Sequence, residues 1–168
     1  MSVQKNPLLA VEALANIADK EWSADFVGDG PLLESVRKFA KDRGLTSRIT
    51  FHGWMDGKRV RQILGKADIL FMTSLSEGLP MVGVEALAAG LAIVSTGIDG
   101  MLDVVEEGRN GFLVPVDSGS TGLGDALSTL LENRDLLATM RHYSAKKVTE
   151  FDVEKTVTCY ESALFKIL

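Results

Sequence analysis

The fold is decided by residues 67–95, ADILFMTSLSEGLPMVGVEALAAGLAIVS. The two ends of this stretch, 68–72 and 91–95, are short apolar runs without alternation, which is typical of strands buried on both faces of a sheet. Between them, Pro80 is suited to the first turn of a helix and Gly90 to its end. Two strands joined through a helix by short loops predict a crossover unit in which the strands run parallel.

The same alternation of strands and helices extends on both sides of this unit. Further short apolar runs predict strands at 24–27, 48–51 and 111–114. Apolar residues at helical spacing predict three more helices: one that begins at Pro7 after an Asn6 cap, one between Pro31 and Gly44, and one that includes 60–64. After about residue 119 the strands stop, and helices are predicted at 122–131, 134–150 and 153–168.

We therefore predict one domain over residues 1–168, with an α/β fold, a Rossmann-like doubly wound parallel sheet and a helical C-terminal tail. Such sheets normally begin with a central strand, whereas this chain begins with a helix. Residues 1–4 are too few and too polar to form a good strand. We expect that the first strand of the sheet is missing from this chain.

The composition excludes several classes of protein. The chain has 168 residues and a formal net charge of −5, so it offers no electrostatic footprint for nucleic acid or anionic lipid. Its single cysteine, Cys159, excludes an intramolecular disulfide framework and fits a reducing compartment. The N-terminus lacks the layout of a signal peptide, and no apolar stretch is long enough to span a membrane. We expect a cytoplasmic protein.

In an open parallel sheet, ligands bind beyond the carboxyl ends of the strands, where loops lead into helices. After the first predicted strand, the Gly28-Asp29-Gly30 loop would let the backbone approach a ligand closely, or it is a tight turn with Asp29 as a local cap. After the second, Gly53 and Trp54 would form a wall for a flat ring such as a nucleobase, or the tryptophan is a packing residue. The two loops by themselves leave these alternatives open.

The loop after the 68–72 strand carries Glu77, and the helix that follows carries Glu85. A helix N-terminus lies between them, and it carries roughly half a positive charge that suits a phosphate or diphosphate. The carboxylates on either side suit hydroxyl groups, so the pattern favours a nucleotide sugar, with its ribose at one end and its hexose at the other. Alternatively, the acidic residues only complement the helix dipole. The exposed amides would be those of Gly78, Leu79, Met81 and Val82.

The segment from Ser76-Glu77-Gly78-Leu79-Pro80 to Val84-Glu85-Ala86-Leu87-Ala88-Ala89-Gly90 resembles the two-glutamate signature of retaining GT-B glycosyltransferases of the GT4, or group 1, family. Seven residues separate the two glutamates, as in that family. The resemblance covers nearly the whole chain, in the family's order and spacing. The other matching segments are Gln4-Lys5-Asn6-Pro7, Val27-Gly28-Asp29-Gly30-Pro31, Ile49-Thr50-Phe51-His52-Gly53, Ala67-Asp68-Ile69-Leu70, Asn110-Gly111-Phe112-Leu113-Val114 and Tyr160-Glu161-Ser162-Ala163-Leu164.

The resemblance implies the donor-binding, C-terminal half of an enzyme that transfers a hexose from a nucleotide-diphosphate sugar to an acceptor hydroxyl, with retention. It implies that Glu85 binds the ribose hydroxyls, that Glu77 positions the donor sugar, and that Lys5 neutralises the leaving diphosphate. By the same resemblance, the sugar and diphosphate are lined by Gly78, Leu79, Pro80 and Met81, the base lies against Gly53 and Trp54, and the loop with Gly28 and Asp29 is nearby.

The family also implies partners and an absence of cofactors. No metal is expected, UDP is the favoured nucleotide, and a glycan or lipid-linked acceptor would be bound by an N-terminal domain that this chain lacks. The sequence departs from the family at Lys5-Asn6, where Lys-Gly is usual, and no residue replaces an arginine that shares the diphosphate. We expect the chain alone to be inactive.

Two alternatives to a catalytic half follow from the same residues. One is a non-catalytic nucleotide-sugar binding module or remnant. The other is a doubly wound regulatory domain such as a receiver, which the lack of an acidic cluster at one strand end disfavours. Open sheet edges and an apolar stripe on the last helix lead us to expect a homodimer. Any attachment to the inner face of a membrane would come through the missing half.

Overall fold

The computed structural model describes residues 1–152, together with Glu154 and Val157. Strands and helices alternate over most of this length, which confirms the predicted α/β class. The strands are β1 (Ala24–Val27), β2 (Ile49–Gly53), β3 (Ile69–Met72), β4 (Ala92–Thr96) and β5 (Gly111–Val114). The helices are α1 (Pro7–Asn16), α2 (Leu33–Asp42), α3 (Gly57–Leu64), α4 (Met81–Ala88), α5 (Asp99–Leu102), α6 (Gly119–Glu132) and α7 (Arg134–Lys147).

The strands form two parallel sheets rather than the single sheet that the sequence predicts. One sheet contains β1 and β2, and the other has the order β3-β4-β5. In the part of the chain that the structure describes, no strand precedes α1. The usual order of a doubly wound sheet places its first strand between the second and the fourth, so a sheet without that strand is divided at this point.

The two sheets nevertheless share one hydrophobic core. Helix α1 buries Val11 and Leu14 in a cluster that also contains Ile49 of β2 and Val94 of β4. Neighbouring residues of a strand face opposite sides, so Ile93 of β4 enters a second cluster beneath α4 and α5. Strand β4 is therefore buried on both faces, as its continuous apolar sequence predicts.

The helix boundaries correct three expectations. Asn6 occupies the position before α1, but its side chain caps nothing and its backbone is left-handed, with φ 43°. Helix α2 begins at Leu33 rather than at Pro31, because the two residues before it form a turn. Helix α5 was not predicted, since a helix of 4 residues is too short to show helical periodicity.

The helical C-terminal region is confirmed as far as the structure describes it. Helices α6 and α7 are followed by a short 3₁₀ helix, Val148–Phe151. The predicted helix over 153–168 lies outside the described residues, apart from Glu154 and Val157, which are both helical. None of the helices in the described residues is long and apolar enough to cross a bilayer.

Candidate functional site

The N-terminal segment, residues 1–6, connects the loops at the carboxyl ends of two strands that belong to different sheets. At one end, the backbone N–H of Leu32, after β1, donates to the carbonyl of Met1 at 3.4 Å. At the other end, the N–H of Leu75, after β3, donates to the carbonyl of Gln4 at 2.8 Å. The segment therefore bridges the point where the sheet is divided, at the edge where an open parallel sheet binds its ligands.

Lys5 and Glu77 form an ion pair at the centre of this region. The Lys5 Nζ lies 2.5 Å from Glu77 Oε1, and the Glu77 side chain is 10% exposed whereas that of Lys5 is 50% exposed. Partial burial acts to raise the pKa of Glu77, but hydrogen bonds from the side chains of Lys5 and Ser74 outweigh it, so the pKa lies below its ordinary value. Glu77 is therefore an ionised carboxylate at neutral pH, paired with an accessible cation.

Three further hydrogen bonds hold the Lys5 turn against the loop after β3. The Thr73 hydroxyl donates to the carbonyls of Lys5 at 3.1 Å and of Asn6 at 2.9 Å. The Gln4 side-chain amide donates to the carbonyl of Ser76 at 2.8 Å. Sequence reasoning missed Thr73 and Gln4, because a side chain that bonds to a distant backbone carbonyl leaves no periodic or motif signal.

The N-terminus of α4 is free to accept an anion. Its cap position is Pro80, which has no side-chain acceptor, and its first turn contains no acidic residue. Pro80 itself is buried, whereas Leu79 and Met81 are 49% and 66% exposed. An α-helix leaves its first N–H groups without intrahelical partners, so the start of α4, which follows the loop that carries Glu77, supplies the positive end of the helix dipole.

Glu85 lies further along α4 and approaches a cation of its own. Arg61 of α3 places Nη1 3.6 Å from Glu85 Oε1, and the Glu85 side chain is 33% exposed. This distance is too long for a hydrogen bond, so the Glu85 carboxylate retains its capacity to accept one. Arg61 was missed by sequence reasoning, because it is one of several basic residues on a polar helix face.

The loops after β1 and β2 are adjacent to each other. The N–H of Gly28 donates to the carbonyl of Gly53 at 2.7 Å, and both glycines have positive φ, 119° and 69°. Trp54 is 75% exposed, so it is not a core residue. Asp29 accepts a hydrogen bond through Oδ1 from the N–H of the next residue, Gly30, at 2.6 Å.

The predicted site residues thus fall into two groups. The first contains Lys5, Glu77 and the start of α4 with Glu85; the second contains the loops with Gly28 and Trp54. Helix α3 connects them, since it begins after Asp56, close to Trp54, and reaches Glu85 through Arg61. Among the described residues, no three histidine, cysteine, aspartate or glutamate side chains are arranged to hold a metal ion.

Comparisons with known proteins agree on one family. Residues 1–147 match the family model described as glycosyl transferases group 1. The chain is 30% identical over 160 residues to N-acetyl-alpha-D-glucosaminyl L-malate synthase of Bacillus anthracis, a match that covers 94% of this chain and 41% of that protein. The chain therefore spans less than half the length of this relative.

Solved structures of similar fold agree with this match. Anabaena Alr3699/HepE in complex with UDP and glucose has a TM-score of 0.86 at 24% identity, over 99% of this chain and 46% of that one. The C-terminal domain of the group 1 family protein LpcC from Francisella tularensis has a TM-score of 0.82 at 22% identity, over 91% of this chain and 83% of that one. The second match covers an isolated C-terminal domain almost completely.

Proposed function

Because the chain belongs to the glycosyl transferases group 1 family and has the Rossmann-like fold of GT-B C-terminal domains, we propose that it binds the donor of a retaining hexosyl transfer. The donor is a nucleotide-diphosphate sugar, with UDP as the favoured nucleotide. The observation that carries the proposal is the Lys5–Glu77 ion pair beside the uncapped N-terminus of α4. Structural neighbours that hold UDP support the choice of nucleotide.

The ion pair provides two partners for the donor. A diphosphate at the start of α4 would attract the Lys5 ammonium, whose side chain is half exposed and so accessible to the donor. Glu77 would then accept a hydrogen bond from a hydroxyl of the donor sugar instead of from Lys5. One cation thus changes partner as the donor binds, and the buried carboxylate is not left without a partner.

The remaining contacts follow the length of the donor. Glu85 would accept hydrogen bonds from the ribose hydroxyls, because its carboxylate is one turn further into α4 and partly exposed. The loops of Gly28 and Gly53 would approach the base with their backbone, and Trp54 would lie against its face. Asp29 would lie near the base. The sugar and diphosphate would be lined by Gly78, Leu79, Pro80 and Met81.

In the complete reaction, the bond between the anomeric carbon and the diphosphate oxygen breaks, and a bond to the acceptor oxygen forms with the same anomeric configuration. The diphosphate leaves with the electron pair of the broken bond, and the proton that the acceptor hydroxyl loses passes to an oxygen of the departing diphosphate or to solvent. Lys5 and the N-terminus of α4 would stabilise that charge as it develops, so the proposal assigns this role to protein groups and not to a metal ion. Glu77 positions the sugar and is not assigned as a nucleophile.

Residues 1–168 would form the donor-binding domain of a two-domain transferase whose acceptor, a glycan or lipid-linked sugar, binds to an N-terminal domain. The chain alone would bind the donor without transferring it. A non-catalytic nucleotide-sugar binding module is the second candidate, because the Lys5–Glu77 pair and the start of α4 would bind a donor whether or not transfer follows. Sugar transfer by the chain joined to an acceptor-binding domain would distinguish the two.

Two finer points belong to the same proposal. We expect a cytoplasmic location, with any contact to the inner face of the membrane made through the acceptor-binding half. We also expect a homodimer, because β1 and β3 each have an edge without a strand partner among the described residues. Light scattering at high protein concentration tests this expectation, and a monomer would contradict it.

The donor assignment is tested by calorimetric titration of the chain with UDP, GDP and ADP. UDP is expected to bind, and Glu85→Ala is expected to weaken its binding about tenfold or more, because hydrogen bonds to charged groups contribute about 1.5–3 kcal/mol. The matched control is Glu132→Ala, which removes a helical glutamate paired with Lys20 at 2.5 Å. Failure of all three nucleotides to bind would refute donor binding, and unchanged affinity in Glu85→Ala would refute the ribose assignment.

A further inference from the structure

Thr73 follows β3 directly and is buried, and its side chain forms hydrogen bonds with the N-terminal segment. Its relative exposure is 4%, and its hydroxyl donates to two carbonyls of one turn, those of Lys5 at 3.1 Å and Asn6 at 2.9 Å. Thr73 and Lys5 are 68 residues apart in the chain. A single hydroxyl proton is therefore shared between the two carbonyls on either side of Asn6.

The turn that Thr73 holds has an unfavourable backbone conformation. Asn6 has φ 43° and ψ 53°. Among the described residues, no other residue except glycine has a positive φ. Pro7 follows it, and a residue before proline normally adopts an extended conformation. The turn therefore departs from local preference, and an outside contact is needed to stabilise it.

The direction of the Lys5 side chain depends on this turn. Lys5 is followed by the left-handed Asn6 and then by α1, whose start is buried at Pro7. It is preceded by Gln4, which is bonded to the loop of Glu77 through Ser76 and Leu75. If the turn relaxed toward an extended conformation, the chain on the two sides of Asn6 would change its relative orientation, and we expect the Lys5 side chain to turn away from Glu77.

We propose that Thr73 is a positioning residue, which acts through the Lys5–Asn6 turn to aim the Lys5 ammonium at the start of α4. The inference rests on the proposed donor-binding role of Lys5. Thr73 is buried below the turn and contacts its carbonyls, so it acts on the donor through Lys5. A purely structural threonine would stabilise the domain without any specific effect on Lys5.

The first test needs no ligand. In the unliganded chain, carboxyl-group NMR should show the pKa of Glu77 below its ordinary value, because Lys5 and Ser74 outweigh partial burial. Thr73→Val removes the hydroxyl at nearly constant volume, so Lys5 should leave Glu77 and the pKa should rise. Thr73→Ser keeps the hydroxyl and should retain the low pKa. The matched control is Thr129→Val, which removes a helical hydroxyl that donates to the backbone carbonyl of Asp125 at 2.8 Å. It should leave the pKa of Glu77 unchanged.

The second test uses UDP and uridine. Thr73→Val should weaken UDP binding about fivefold, as expected for one net hydrogen bond, and should leave the affinity for uridine, which has no phosphate, unchanged. In a Lys5→Met background the same substitution should not weaken UDP binding further, because Thr73 acts on the donor only through Lys5 and the two effects are not additive. Should Thr73→Val not fold, Thr73→Ala is compared with Thr73→Ser in the same way.

The outcomes separate this inference from the proposed function. A Glu77 pKa that is the same in Thr73→Val and wild type would overturn the positioning role, whether or not UDP binds. An equal loss of UDP affinity in the wild-type and Lys5→Met backgrounds would also overturn it. A third outcome is that the wild-type chain does not bind UDP although the pKa of Glu77 changes in Thr73→Val. This outcome would contradict the donor site but would still support the positioning of Lys5 by Thr73.

Discussion

Gly100 allows α5 to pack directly against the backbone that carries Glu77. A Cβ atom at this position would overlap the carbonyl oxygens of Gly78 and Glu77. Backbone atoms cannot yield as a flexible side chain does, so only glycine permits this approach. The loop that presents Glu77 is therefore in contact with α5, and it also accepts a hydrogen bond from the Gln4 side chain at the Ser76 carbonyl.

We predict that Gly100→Ala displaces the Glu77 loop and weakens UDP binding about tenfold or more, because the shift would remove a hydrogen bond to the charged diphosphate, which contributes about 1.5–3 kcal/mol. The control is Gly65→Ala, where the added methyl would lie 3.4 Å from the Arg61 carbonyl, an ordinary contact. Calorimetric titration of both variants measures the effect. Wild-type affinity in a folded Gly100→Ala variant would show that the loop is not fixed by α5.

At the scale of elements, α7 is attached to the loop before β5 by a cluster of charges. Lys147 is 6% exposed at its side chain, and its Nζ lies 3.0 Å from Glu106 Oε1 and 2.8 Å from Glu150 Oε2. Glu106 also accepts hydrogen bonds from Arg109 at 2.9 Å and Tyr143 at 2.8 Å. These bonds lower the pKa of Glu106 to about 2, and the bond from Arg109 has the largest effect.

The lowered pKa predicts a pH dependence of stability. Because the pKa of Glu106 is lower in the folded than in the unfolded chain, its stabilising effect is present above its ordinary pKa near 4.5 and is lost as the pH falls toward about 2. Glu106→Gln should therefore lower the free energy of unfolding at neutral pH, and the difference from wild type should shrink on acidification. Urea unfolding at several pH values measures it.

The control for this experiment is Glu34→Gln. The Glu34 side chain is 89% exposed, and its Oε1 lies 3.7 Å from Arg37 Nε. It should differ little from wild type at any pH, because exposed ion pairs contribute little. A difference between wild type and Glu106→Gln that stays constant with pH would mean that the Glu106 charge does not stabilise the attachment of α7.

The elements were largely predictable from the sequence, whereas their side-chain connections were not. Strands β1 and β5 begin and end at the predicted residues, because each is a short, mainly apolar run bounded by a polar residue on one side and by glycine or proline on the other. The predicted Asn6 cap was wrong, since tertiary contacts hold that residue in a left-handed turn. Lys5 and Glu77 were each assigned to the site, but their ion pair joins residues 72 apart and depends on the folded turn.

At the scale of the whole molecule, two separate sheets are joined through one core. Val11 and Leu14 of α1 pack in the same cluster as side chains of both sheets, and α1 also contacts α2 and α6. The division between β1 and β3 is a break in backbone hydrogen bonding and not in side-chain packing. Cooperative unfolding of small domains depends on such shared packing, so the two sheets should unfold together.

The chain offers a direct measurement of this cooperativity, because both of its tryptophans, Trp22 and Trp54, flank the sheet of β1 and β2. Tryptophan fluorescence therefore reports on that sheet, while far-ultraviolet circular dichroism reports on all helices and strands. The two signals should give the same midpoint in urea if the shared core couples the sheets. A fluorescence transition at lower urea would show that the β1–β2 sheet unfolds by itself.

Arg48 provides the variant that makes the measurement decisive. Its guanidinium donates to the carbonyls of Trp22 at 3.1 Å and Ala18 at 2.8 Å and to that of Lys20, and it stacks 3.9 Å from the centroid of the Trp22 ring. Arg48→Met should lower the free energy of unfolding by about 2 kcal/mol, within the range for hydrogen bonds to charged groups. If the sheets are coupled, both signals move by the same amount, although the lost contacts lie beside the β1–β2 sheet. Arg43→Met, which removes a single cation–π contact with Phe39, should move both signals only slightly.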